Sequence, residues 1–256
     1  MDLKVQHVCF DKDGTLIDVH ASWVPITRRR AQKIIRFYEL PEAKLPDACR
    51  AMGVDLGTQK ILPGGPVGYK PRAAIITAVA GWLKNLKITA SEDQLTEIFR
   101  EVDADLQDSD DFNANALVGI VDGIKRLKHS GFKISVYTSD RHKNTQRVLE
   151  LLGLRDDIDA VVGGDDVRCP KPDPEGIHKA CHLVGVDVEQ SVYVGDTVDD
   201  MLMAKRSGSA GWYGITHGLA TREELSVDAI NVFDTFNALV NSLIELRDGK
   251  KTTSSV

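Results

Sequence analysis

Four short segments of the chain gather side chains that could do chemistry together. The first is Phe10-Asp11-Lys12-Asp13-Gly14-Thr15-Leu16. Two carboxylates two residues apart leave an extended strand on the same side, and Gly14 permits a sharp turn that a Cβ would hinder. The second segment is Thr138-Ser139-Asp140, the third Cys169-Pro170-Lys171-Pro172-Asp173, and the fourth Gly195-Asp196-Thr197-Val198-Asp199-Asp200. In chain order they offer acid–acid, hydroxyl, cation, acid–acid. Carboxylates can hold a cation, attack or exchange protons, while hydroxyls and an ammonium can meet an anion. Each segment also has an ordinary structural reading. Asp–Gly is a turn dipeptide, Ser139 or Asp140 can cap a helix, Lys171 can be a solvated loop lysine, and Thr197-x-x-Asp200 fits a capping box.

The elements that must carry these residues follow from apolar pattern and punctuation. Short apolar runs of strand length lie at 5–10, 133–138, 160–162, 191–194 and 211–215. Between them run helix-period stretches, such as Ile177, Ala180, Cys181 and Val184 on one face. Gly131, Gly153, Gly185 and Gly208 stand where helices should end, and Asp173-Pro174 where one should begin. Strands alternating with helices predict a doubly wound, Rossmann-like α/β core with a parallel sheet, each of the four segments lying beyond a strand's carboxyl end or in the loop that follows. Residues 18–117 offer no convincing strand. Helices are expected over 21–38, 42–52, 71–86 and 91–107, the last opened by a Ser91-x-x-Gln94 capping box, with a Gly- and Pro-rich loop over 53–68. One strand separated by about a hundred helical residues from its sheet partners marks an inserted helical domain. The expected division is a core of 1–18 and 118–248, a helical cap of 19–117, and a disordered tail of 249–256.

Composition narrows the class. A chain of 256 residues has room for one or two domains. Its net charge of −6 argues against a nucleic-acid partner, because phosphate backbones demand a basic surface. Cys9, Cys49, Cys169 and Cys181 form neither a disulfide framework nor a zinc pattern. The polar N-terminus lacks a signal-peptide core, and the longest apolar stretch, 73–83, is far short of the ~20 residues of a membrane span. A cytoplasmic protein with no membrane partner is the expectation.

The ordered set closely resembles the haloacid dehalogenase (HAD) superfamily of phosphotransferases, and within it the phosphoglycolate phosphatase-like branch. FDKDGTLID, YTSD, GGDDVRCPKPDP and YVGDTVDD carry the resemblance. It implies a Mg²⁺-dependent phosphatase acting on a small phosphorylated metabolite. Asp11 would be the nucleophile and form an aspartyl-phosphate; Asp13 would protonate the leaving alkoxide and then take a proton from the hydrolytic water. Thr138 and Ser139 would hold phosphoryl oxygens, and Lys171 would offset developing negative charge. Asp196 would complete a metal shell with Asp11 and the Asp13 carbonyl, and Asp200 would act through water or through Lys171. The presence of Asp13 favours phosphate esters over C–P or C–halogen bonds. A sugar-phosphate mutase and a catalytically idle phosphometabolite-binding module are the alternatives. Substrate choice would fall to the insert, with His20, Trp23, Arg28 and the stretch 62–72, including Tyr69, Lys70 and Arg72, as candidates. Arg28-Arg29-Arg30 also reads as a solvated helix face, and Trp23 as core of the insert.

Overall fold

A computed structural model describes residues 4–107 and 115–248 of the chain. The expected tail, 249–256, lies outside the described residues. β1 (His7–Phe10) opens the chain as four consecutive buried residues, the pattern of a strand covered on both faces. Two compact units follow, one made of Met1–Asp18 and Ala116–Val256, the other of Val19–Asn115.

The second unit is mainly helical: α1 (Val19–Phe37), α2 (Leu45–Ala51), the single turn α3 (Pro66–Tyr69), α4 (Arg72–Asn85) and α5 (Glu92–Gln107). The Ser91–Gln94 capping box is present, with Gln94 N–H donating to Ser91 Oγ at 3.1 Å and Ser91 N–H to Gln94 Oε1 at 3.2 Å. One expectation fails here. The Gly- and Pro-rich loop contains a small antiparallel hairpin of β2 (Val54–Asp55) and β3 (Lys60–Ile61). Strands of two residues show no alternation, so no period betrays them.

The first unit resumes with α6 (Ile120–His129), β4 (Lys133–Tyr137), α7 (His142–Leu151), β5 (Ala160–Val162), α8 (Glu175–Val184), β6 (Ser191–Gly195), α9 (Val198–Ser207), β7 (Gly211–Ile215), α10 (Arg222–Ser226), β8 (Asn231–Phe233) and α11 (Phe236–Arg247). Gly185 and Gly208 close α8 and α9 in the left-handed conformation. The sheet order is β5-β4-β1-β6-β7-β8, parallel throughout. This is the doubly wound α/β core read from the sequence, with β8 as a further edge strand of three residues. The winding reverses between β1 and β6, and in such sheets ligands collect beyond the strand ends at that point. Within the sheet His7 ties three strands together, its ring nitrogens meeting Ser191 Oγ on β6 at 2.9 Å and Ser135 Oγ on β4 at 2.8 Å. Burial pushes the His7 imidazolium down to about 4.

Candidate active site

Asp11 leaves β1 still paired to its neighbour, its N–H donating to Val194 O of β6 at 2.8 Å. Asp196 leaves β6 alongside it and is fully buried. Lys171 enters from the loop before α8. Its ammonium donates to Asp11 Oδ1 at 2.6 Å, Asp200 Oδ1 at 2.8 Å and the Tyr193 hydroxyl at 2.9 Å. The rings of Tyr137 and Tyr193 flank that ammonium at 5.1 and 5.5 Å. Asp200 fills two roles at once. It closes the capping box of α9, taking the Thr197 N–H at 3.1 Å and the Thr197 hydroxyl at 2.6 Å on Oδ2, and it presents Oδ1 to Lys171 and to the Tyr193 hydroxyl at 3.1 Å.

The second carboxylate of the first segment is held separately. Asp13 Oδ2 lies 3.0 Å from Lys12 Nζ, which also reaches Asp140 Oδ2 at 2.8 Å. Thr138 is buried and its hydroxyl accepts the Asp140 N–H at 3.2 Å, which leaves the hydroxyl proton to be given elsewhere. Ser139 is exposed beyond the end of β4. Asp11, Lys171, Asp196 and Asp200 are thus drawn into one cluster, with Asp13 near enough to Asp11 to repel it.

Burial and charge set the protonation balance. Burial pushes the Asp11 carboxyl up to about 7, Lys171 pulling it down and Asp200 and Asp13 pushing it further up. Burial, then repulsion from Asp11 and Asp200, raises Asp196 well above the usual carboxylate range. Burial works against the Lys171 ammonium, yet Asp11 and Asp200 more than offset it and hold its pKa above the ordinary lysine value. One ammonium does not neutralise three buried carboxylates.

Several contributors have no signature in the sequence. The backbone N–H of Leu219, in the loop after β7, donates to Asp196 Oδ2 at 2.9 Å. Gly14 and Gly218 wrap the same carboxylate; a Cβ on Gly14 would stand 2.6 Å from Asp196 Cγ, and one on Gly218 would overlap Asp196 outright. Tyr193, in the middle of an apolar strand, reads as core until its hydroxyl is seen to meet Lys171 and Asp200.

The residues considered for substrate choice sit as follows within the helical unit. His20 Nδ1 accepts the Ile61 N–H at 3.1 Å, Arg28 and Lys70 are exposed, and Trp23 and Tyr69 are half-buried. The reading of Arg28-Arg29-Arg30 as a solvated face needs correction at Arg30. This residue lies on the buried stripe of α1 with Val24, Thr27 and Ile34. Its guanidinium stacks 4.6 Å over Phe99 and 5.7 Å from the Trp23 ring, and it bonds Asp103 Oδ1 at 2.8 Å. Arg72 takes the other oxygen of Asp103.

Residues 5–208 match the family described as haloacid dehalogenase-like hydrolase. The chain belongs to this family. This hydrolase is 34% identical over 236 residues to "Probable phosphatase IndB" of Dickeya dadantii, spanning 92% of each chain. It is 26% identical over 252 residues to the phosphoglycolate phosphatase of Psychrobacter arcticus, covering 94% of this chain and 96% of that one. Its fold matches the crystal structure of a predicted phosphoglycolate phosphatase from Haemophilus somnus with a TM-score of 0.73 at 19% identity, over 94% of this chain and 99% of that chain. Family and fold are those expected from the four segments. Among the described residues no helix is long and apolar enough to cross a membrane.

Phosphatases of this family use a divalent metal, and the donors present fit one. Single carboxylate oxygens of Asp11, Asp196 and Asp200 lie within 4.8 Å of one another, an all-oxygen set suited to a hard cation. Asp200 gives both oxygens to Lys171, Tyr193 and Thr197. Asp196 meets the Leu219 N–H at 2.9 Å and the Thr15 hydroxyl at a long 3.4 Å, and Asp11 meets Lys171 on Oδ1, so these two keep more lone pairs for a cation. The three carboxyl groups gathered against one ammonium and the close Gly14–Gly218 cradle around Asp196 point the same way.

Proposed function

We propose that this hydrolase is a Mg²⁺-dependent phosphatase that hydrolyses a small phosphomonoester through an aspartyl-phosphate on Asp11. The observation that carries the reading is the buried Lys171 ammonium, 2.6 Å from Asp11 Oδ1 and 2.8 Å from Asp200 Oδ1, at the reversal point of the sheet beside Asp196. Asp11, Asp196 and the Asp13 carbonyl would hold Mg²⁺, which would supply neutralising charge to the phosphoryl oxygens.

Lys171 fixes one Asp11 oxygen, which leaves the carboxylate oriented to attack phosphorus with the other. As the Asp11 O–P bond forms and the ester P–O bond breaks, Asp13 gives its proton to the departing alkoxide. Asp13, now a carboxylate, takes a proton from water; the resulting hydroxide attacks phosphorus, the aspartyl O–P bond breaks, and orthophosphate leaves with Asp11 restored. The Thr138 hydroxyl and the Ser139 N–H would donate to phosphoryl oxygens, and the Lys171 ammonium would balance charge as it builds there. Substrate selection would fall to the helical unit, with carboxylated phosphometabolites such as phosphoglycolate first among candidates, because relatives along almost the whole chain bear that name. Four free cysteines are in keeping with work in the cytoplasm.

The test is a phosphometabolite panel with and without Mg²⁺, reading both orthophosphate release and any phosphorylated isomer. Mg²⁺-dependent orthophosphate release that vanishes in Asp11→Asn is expected. Robust turnover by Asp11→Asn would sink the nucleophile, isomer without orthophosphate would replace hydrolysis by a mutase, and no turnover of any ester would leave a binding module.

A further inference from the structure

Lys12 lies between the two aspartates of the first segment and is only 3% exposed. A lysine at the end of a strand can ordinarily run its stem along the surface and keep its ammonium in water. Here the ammonium turns inward and bridges two carboxylates, 3.0 Å to Asp13 Oδ2 and 2.8 Å to Asp140 Oδ2. Burial works against its charge, and Asp13 and Asp140 more than offset that cost, so it stays an ammonium.

Asp140 is itself firmly placed. Its Oδ1 takes the Arg141 N–H at 2.7 Å and the Asn144 side-chain amide at 3.0 Å. Its own N–H goes to Thr138 Oγ1 at 3.2 Å, and its carbonyl accepts the Gly164 N–H at 2.7 Å. Through Lys12, Asp13 is therefore tied to the loop that carries Thr138 and Ser139. The two ammoniums also take different carboxylates, Lys171 serving Asp11 and Asp200, Lys12 serving Asp13 and Asp140.

We infer that Lys12 is a positioning residue for the acid–base step, holding the Asp13 carboxyl group in a fixed orientation relative to the Thr138–Ser139 loop. The inference rests on the reading of Asp13 as the group that protonates the leaving alkoxide. An aspartate side chain can turn about two bonds, and a buried ammonium 3.0 Å from one oxygen restricts that turning. Lys12 does not touch the reacting atoms. Its removal should cost most where Asp13 matters most.

The experiment compares an alkyl phosphate, whose leaving group must be protonated, with an aryl phosphate, whose leaving group departs as the anion. Lys12→Met should lower kcat on the alkyl ester by about 100-fold and on the aryl ester by less than about threefold, with KM little changed. In an Asp13→Asn background, Lys12→Met should add no further loss on the alkyl ester, because both changes remove the same function. Equal losses on the two esters, or a further loss in that background, would overturn the inference and leave Lys12 as structural glue. If Lys12→Met does not fold, Asp140→Asn carries the test: loosening the tether should still lower alkyl-ester turnover by about tenfold with aryl-ester turnover preserved. An unchanged ratio in that variant overturns the inference as well. Asp13→Asn by itself separates the two levels of argument. If it spares the alkyl ester, the acid–base reading beneath this inference fails; if it is selective and the Lys12 and Asp140 variants are not, only the role of Lys12 fails.

Discussion

Gly218→Ala offers a sharp test of how the site is built. Gly218 does not have a positive φ, so its backbone conformation is open to alanine. Space is the obstacle. A Cβ there would overlap Oδ2, Cγ and Cβ of Asp196, where non-bonded carbons ordinarily stay about 3.5–4.0 Å apart. The Asp196 carboxylate or the loop after β7 must then shift by roughly 1 Å or more. Asp196 is fully buried and held by the Leu219 N–H at 2.9 Å, so a shift of either partner disturbs that bond. A misplacement of about 1 Å at a reacting centre costs on the order of 100-fold in rate. With Asp196 holding Mg²⁺ as proposed, steady-state kinetics with a Mg²⁺ titration should show kcat/KM about 100-fold lower and a higher Mg²⁺ requirement, in a protein that still unfolds cooperatively. A Gly218→Ala enzyme with wild-type kcat/KM and wild-type Mg²⁺ requirement would refute the idea that this glycine exists to seat Asp196.

Lys171→Met should lower kcat by about 100- to 1,000-fold, and Lys171→Arg should not restore it, since a planar fork cannot reproduce one ammonium shared by Asp11, Asp200 and Tyr193; steady-state rates for both variants check this. His7 should make stability depend on pH. Its folded pKa of about 4 lies below the ordinary histidine value of 6.5, so between those values the unfolded chain binds more protons, and stability should fall as pH drops from 6.5 to 4. The loss attributable to His7 is about 3 kcal/mol at most, read as the difference in urea-unfolding free energy between wild type and His7→Asn across that window. Gly81→Ala, in the middle of α4 where an added Cβ meets nothing within 4 Å, should raise stability by about 0.5–1 kcal/mol and leave turnover unchanged.

The legible part of this protein was the part with a pattern long enough to read. Asp11 and Asp196 follow strands of four and five buried residues, and Lys171 stands between prolines in the loop between β5 and α8, so their placement follows once a parallel sheet is recognised. Lys12 resisted reading for a physical reason. Strand alternation sends it away from Asp11 and Asp13, and a lone lysine in that place looks solvated; only the path of its four-carbon stem, which no pattern encodes, brings it to Asp13 and Asp140. Arg30 escapes the pattern on similar grounds, since three consecutive arginines look like a wet surface although every third or fourth position of α1 from Val24 onward is buried. The contributions of Leu219 and Gly218 come from a backbone N–H and from a missing Cβ. Neither leaves a chemical signature in a one-letter code. The hairpin of β2 and β3, two residues a strand, falls below the length at which alternation can be seen.

The points where the chain leaves and re-enters the sheet-bearing unit lie side by side. Ile17 pairs antiparallel with Ala116, and the Leu117 N–H donates to Leu16 O at 3.1 Å. The intervening residues therefore form a loop whose ends are closed by the core itself. The entropy of closing such a loop grows only with the logarithm of its length. Lineages could lengthen, shorten or exchange the insert at little cost to the fold that carries Asp11, Lys171 and Asp196. Such an architecture lets the reaction stay constant while its clientele drifts.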